Sequence, residues 1–157
     1  MQNILKFVVA LILPLAAGGL GSLFTMSEIK TWYSTLIKPV FSPPNWIFGP
    51  VWTTLYVLMG IALFIVWKKG FNVPGIKIWV WVFIAHLVIN ALWSIIFFGW
   101  HSPMWAFVCI IALWLSIVYL VVTGWKISHL ASILLWPYLA WVSFASVLNA
   151  AIWYLNR

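Results

Sequence analysis

The chain has 157 residues, of which 66% are hydrophobic and 6% charged, with a formal net charge of +7 and a mean hydropathy of +1.14. A soluble domain would carry about a quarter charged residues, and a membrane β-barrel would show alternating segments of about ten residues; instead apolar runs of about 20 recur, indicating an all-α integral membrane protein. The single cysteine, Cys109, excludes an internal disulfide or thiolate metal cluster, and the basic residues lie at the ends of apolar runs, where topology and lipid head groups explain them better than nucleic acid.

Five spans are expected, at about 4–25, 44–67, 76–98, 103–125 and 129–154, within one membrane domain over residues 1–157. The first run follows Lys6 but is too long for a signal peptide and lacks an A-x-A cleavage pattern, so it reads as a helix. Pro14 should kink it. Ala17/Gly21 and Gly18/Ser22 place small residues four apart, which suits either close helix packing or an open pocket wall.

The connector from 26 to 43 is the only long one, and loops beyond about 12–15 residues tend to be functional or disordered. This one is too aromatic for disorder. Ile29, Trp32, Tyr33 and Leu36 follow helical spacing, predicting a short amphipathic helix capped by Ser27. It would rest on the membrane surface or act as a lid, with Trp32, Tyr33, Pro39, Pro43 and Pro44 as its shaping residues. Ser42-Pro43-Pro44 should start the second span with a serine cap and proline in the first turn; Pro50 should bend that span. Ser102-Pro103 should start the fourth in the same way.

An odd number of spans separates the termini. Lys6, Lys68, Lys69, Lys77 and Lys126 share the N-terminal side, against Lys30, Lys38 and Arg157 opposite, a bias that places the N-terminus in the cytoplasm. No internal repeat suggests the inverted-repeat transporter plan.

Polar groups inside the spans carry the most information. His86, Asn90 and Ser94 stand four apart in the third span, and Ser143, Ser146 and Asn149 three apart in the fifth. Interhelical hydrogen bonding is the expectation for both stripes, and His86 reads as a packing residue rather than a haem ligand. The only carboxylate is Glu28, in the connector, which argues against proton-coupled export. No carboxylate pair, Ser/His/Asp set, metal-spaced cluster or glycine-rich phosphate loop is present, so hydrolytic or metal catalysis is not expected.

Depth points to a site on the side of the long connector. Trp52 lies about 12 Å below that surface at about 1.5 Å per residue. Trp93 and Phe97 occupy the same half, Trp105 lies near the mouth, and Trp141, Ala145, Leu148 and Ile152 form one helical stripe. Large flat aromatics beside small residues under a lid suit a planar hydrophobic ligand held by stacking and burial.

The stretch Trp32–Gly60, together with Asn90-Ala-Leu-Trp93, Phe97-Phe98-Gly99, Trp105-Ala106, Pro137-Tyr138-Leu139-Ala140-Trp141, Phe144-Ala145 and Leu148-Asn149, resembles the translocator protein / tryptophan-rich sensory protein (TspO/MBR) family along nearly the whole chain. The resemblance implies a five-helix bundle, commonly a homodimer, acting as a membrane receptor or carrier for porphyrins and other tetrapyrroles, with isoquinoline-type drugs as further ligands and a regulatory or stress-response role. The cell membrane of a bacterium is the setting it suggests. No cofactor is required on this reading; porphyrin or haem enters as ligand. Matched by motif, the ligand-binding residues are Phe48, Gly49, Trp52, Asn90, Trp93, Trp105, Trp141, Ala145, Leu148 and Asn149. Light- and oxygen-dependent porphyrin degradation, with Trp52 and Trp141 as catalytic residues, is a second function the resemblance implies, and a ligand-independent scaffold is a third reading. Two departures stand out. Asn45 replaces the arginine that follows the paired prolines in animal members, and the cholesterol motif of those members becomes Leu148-Asn149-Ala150 with Tyr154 at its arginine position.

Overall fold

The computed structural model describes residues 2–157. Five helices are long and apolar enough to cross a membrane: α1 (Gln2–Glu28), α3 (Asn45–Trp67), α4 (Ile76–Ser94, prolonged by a π-turn over Ile95–Gly99), α5 (Pro103–Ile127) and α6 (His129–Leu155). A one-turn helix, α2 (Trp32–Thr35), lies in the long connector. The predicted spans therefore hold, with α1 running a turn further than expected.

The helices close into a ring in the order α1, α3, α6, α5, α4, since each of these packs on the next and α4 returns to α1. The α3–α4 connection thus crosses the ring rather than joining neighbours. One end of the bundle carries the start of α1 and the α3–α4 and α5–α6 turns. The other carries the long connector, the α4–α5 turn and the C-terminus.

The first end is solid. Trp79, Phe83, Met59 and Leu63 fill the ring almost without exposure. The Trp79 indole donates to the Leu120 carbonyl at 2.9 Å, and Gly124 leaves room for it, because a Cβ there would sit 3.0 Å from Trp79 Nε1. Lys69 reaches over this end and donates to the Ile127 carbonyl. The Ser132 hydroxyl bonds the Val121 carbonyl, joining α6 to α5.

Several local expectations are corrected. Ser27 does not cap the connector helix: its hydroxyl donates back to the Phe24 carbonyl inside α1, and α2 starts after Thr31 without a side-chain cap. Side-chain bonds of Thr25 and Ser27 to the preceding turn accompany the extension of α1, leaving fewer connector residues for a second helix. Ser42 does not cap the second span either. Its N–H closes a turn onto the Pro39 carbonyl at 2.9 Å, and α3 begins after Pro44. A residue before proline is pushed out of the helical region, and that bars both Ser42 and Pro43 from helix. Ser102 does precede a helix with Pro103 in its first turn, but with no side-chain cap bond. Helices α1, α3 and α6 run through Pro14, Pro50 and Pro137 without a break in helical assignment.

The π-turn was not foreseen. The Trp100 N–H bonds the Ile95 carbonyl at 2.9 Å, five residues back. Consecutive Phe97 and Phe98 in this wider turn are both buried.

Candidate ligand-binding cavity

The second end of the ring is hollow. A cavity of about 520 Å³ lies between α1, α3, the end of α4 and α6, under the connector. Helix spacing explains its walls. From α3, Phe48, Gly49, Trp52 and Tyr56 fall at i, i+1, i+4 and i+8; from α6, Trp141, Ala145, Leu148 and Ile152 form one stripe. Asn90, Trp93 and Phe97 come from α4 and its π-turn.

The aromatic walls are held in place by hydrogen bonds. The Tyr56 hydroxyl donates to Asn90 Oδ1 at 2.9 Å, and Asn90 Nδ2 donates to the Tyr138 hydroxyl at 3.1 Å. Trp52 stacks on Tyr56 with ring centroids 5.5 Å apart and meets Tyr138 edge-on at 6.2 Å. The Trp93 indole donates to Asn149 Oδ1 at 3.0 Å, while Asn149 Nδ2 donates to the Pro103 carbonyl at 2.8 Å. Two asparagines thereby tie four helices together and fix the Tyr56 and Trp93 rings on the walls. Trp141 meets Phe48 edge-on at 5.8 Å, and its buried indole N–H has no protein partner among the described residues.

No Asp, Glu, Lys, Arg or His lines the cavity among the described residues. A group docking there meets indole, phenyl and phenol faces, amides and hydroxyls. Discrimination must rest on shape, stacking and a few directed hydrogen bonds.

The connector forms the roof. Tyr33 is buried and reaches the cavity, and burial pushes its phenol above the ordinary value, so it stays neutral. Lys38 lies 4.5 Å from its ring centroid. Trp32 does not line the cavity; it stacks on His101 at 4.5 Å and 13° and packs edge-on to Phe97 at 5.6 Å. His101 Nε2 in turn lies 3.1 Å from Glu28 Oε2. At the far side, Asn156 grips the roof with both amide atoms: Oδ1 accepts from the Ile37 N–H and Nδ2 donates to the Ile37 carbonyl, each at 2.9 Å. Pro39, Pro43 and Pro44 shape the roof's path without touching the cavity.

Of the ten residues expected to bind ligand, nine border one cavity: Phe48, Gly49, Trp52, Asn90, Trp93, Trp141, Ala145, Leu148 and Asn149. Trp105 does not. It is 57% exposed on the outside of α5, whose inward face is the stripe Ala106, Ile110, Leu113 and Ile117. One position of helix, about 100°, turns the indole outward and leaves a small alanine inside.

The polar stripes divide likewise. Ser143 bonds across helices, accepting from Trp114 Nε1 at 2.8 Å, but the Ser146 hydroxyl donates only to the Val142 carbonyl of its own helix. His86 packs in the solid core, its Nδ1 donating to the Phe83 carbonyl. Two tyrosines escape the sequence reading: Tyr56, which lines the cavity, and Tyr138, buried behind its wall against Trp52 and Asn90. Their signal was spacing: Tyr56 follows Trp52 by four, and Tyr138 precedes Trp141 by three. The alternatives for the small residues of α1 resolve into both. Gly18 lines the cavity and also admits Tyr56, whose Cε2 would lie 2.1 Å from an added Cβ.

Fold and site together define a five-helix integral membrane protein with a roofed aromatic cavity in one half of its bundle. The chain belongs to the TspO/MBR family, whose sequence model matches residues 10–155, as the motif resemblance implied. It is 48% identical over 156 residues to the tryptophan-rich protein TspO of Archaeoglobus fulgidus, covering 99% of each chain. It is 38% identical over 139 residues to the translocator protein of Homo sapiens, covering 87% of this chain and 82% of that protein. Similarity to the tryptophan-rich sensory protein of Cereibacter sphaeroides is 31% over 125 residues, covering 80% and 77%.

Proposed function

We propose that this protein is a membrane receptor or carrier for tetrapyrroles such as protoporphyrin and for similar planar hydrophobic molecules, isoquinoline-type drugs among them. The supporting observation is the roofed cavity with Trp52, Trp93 and Trp141 on its walls and, among the described residues, no charged side chain lining it. Such a site favours a flat apolar body, since each stacked aromatic pair contributes about 0.5–1.5 kcal/mol beyond burial. A regulatory or stress-response role, a homodimeric state and a cell-membrane location with a cytoplasmic N-terminus belong to the same reading, as does porphyrin or haem acting as ligand rather than cofactor. Cholesterol is not the favoured ligand, because Tyr154 stands where the animal motif has arginine.

The test is a protoporphyrin titration followed by tryptophan fluorescence. Quenching should saturate at about micromolar ligand, and Trp52→Ala combined with Trp141→Ala should weaken it strongly. Unchanged quenching in the double variant would refute the site. A second reading, light- and oxygen-dependent porphyrin degradation, draws on the placement of Trp52 and Trp141 on one cavity. It requires porphyrin absorbance to fall under light faster than with detergent or free tryptophan, through those two residues.

A further inference from the structure

The cavity has a roof but not a complete wall. On the solid side, α1 and α3 touch backbone to backbone: a Cβ on Gly60 would lie 2.9 Å from the Ala10 carbonyl oxygen and from Leu11 Cα. Contact persists to Gly18, which meets the ring of Tyr56. Beyond that point the helices part. Gly19 on α1 and Gly49 on α3 have nothing within 4 Å of where a Cβ would stand. Both are exposed, as is Thr53, yet all three line the cavity. Leu15, 40% exposed, continues the rim on α1.

The depth of this gap fixes what lies outside it. The gap runs from Gly49, four residues inside α3, down to Thr53, eight residues inside it, and to Gly19, nine residues from the end of α1, so its deep part lies about 12–14 Å inside the helix ends. A side opening at that depth faces acyl chains, not water. Towards the water-facing end the rim continues through the exposed Met26, Asn45 and Trp46, whereas the connector itself is pinned over the cavity: Tyr33 is 5% exposed, Asn156 clamps Ile37, and the Trp32–His101–Glu28 contacts hold the other edge of the roof.

We propose that the gap between α1 and α3 is a lateral portal through which an apolar ligand dissolved in the bilayer passes into the cavity, the roof remaining closed. This rests on the ligand-binding reading above and specifies where the ligand comes from. Planar hydrophobic molecules partition into lipid, so the bilayer is the reservoir in which they are concentrated. Glycine at position 19 keeps the rim clear where no packing contact demands it.

The test separates the portal from the pocket. Protein in phosphatidylcholine vesicles loaded with protoporphyrin is followed by stopped-flow tryptophan quenching. A Gly19→Leu variant should slow association and dissociation by the same factor, about tenfold, with the equilibrium affinity nearly kept; Gly19→Ala should slow both slightly. Asn156→Ala, which frees the roof, should leave the rates alone. Rates insensitive to Gly19→Leu, or accelerated by Asn156→Ala, would overturn the portal while leaving the pocket in place. A second measurement needs no porphyrin. Vesicles containing phosphatidylcholine brominated in the middle of the acyl chains should quench Trp52, read as the difference between the wild type and Trp52→Phe, and Gly19→Leu should diminish that difference. No Trp52-dependent quenching by brominated lipid would mean the gap is closed to acyl chains and would sink the proposal whatever porphyrin does.

Discussion

Around Trp79, Phe83 and Met59 the ring of helices is filled to its centre. Half a bundle away, around Trp52, Trp93 and Trp141, equally large side chains surround a void. The difference lies in where the indoles and phenols find their hydrogen bonds. Trp79 donates to the Leu120 carbonyl of neighbouring α5, and Gly60 and Gly124 let neighbouring helices close on what remains. In the hollow half, Trp93 and Tyr56 are pulled onto the walls by Asn149 and Asn90, and the π-turn sets both Phe97 and Phe98 into the packing under the roof. Aromatic density alone makes neither a core nor a pocket.

That contrast can be broken most forcefully at its solid end. Trp79→Ala should cost about 3–5 kcal/mol of stability, measured by denaturation in detergent, since it empties a filled core and removes the bond to the Leu120 carbonyl. Trp52→Ala should cost far less, about 1 kcal/mol, because its ring already borders empty space; equal losses would show that the two halves are not packed differently. Asn90→Leu sharpens the comparison from the polar side. Removing the link between Tyr56 and Tyr138 leaves a buried hydroxyl without its donor, an expected loss of about 1–3 kcal/mol, and the freed Tyr56 should also weaken protoporphyrin quenching. Asn156→Ala should cost about 1 kcal/mol and speed amide hydrogen exchange at Ile37, with little effect on the Trp79 end. Smallest of all, Ser146→Ala should stay within about 0.5 kcal/mol in thermal melts, as its hydroxyl serves only its own helix.

Much of this was legible beforehand. Asn90 and Asn149 stood out as polar atoms in hydrocarbon, where such atoms need partners, and both join helices. Ser146 looked the same in sequence and does not, because a serine hydroxyl can be satisfied by the carbonyl one turn back. The prolines marked the connector, but the caps were misread. Ser42 and Ser27 had the right residue type beside the right boundary, and their backbones were committed to a turn and to a longer helix instead.

Sequence by itself determined the number of the spans and their ends to within about a turn, since about 20 apolar residues must cross the bilayer and every backbone group in it must bond within its helix. It also marked the polar groups that needed partners and gathered most of the aromatic walls by their spacing. Only the tertiary structure decided which face of each helix turns inward. In water an apolar stripe points to the core, but lipid is as apolar as the core, so hydrophobicity carries no such direction here. That is why Trp105 and Ala106 were indistinguishable in principle until α5 packed, and why the gap beside Gly19 became visible only once α1 and α3 had been seen to part.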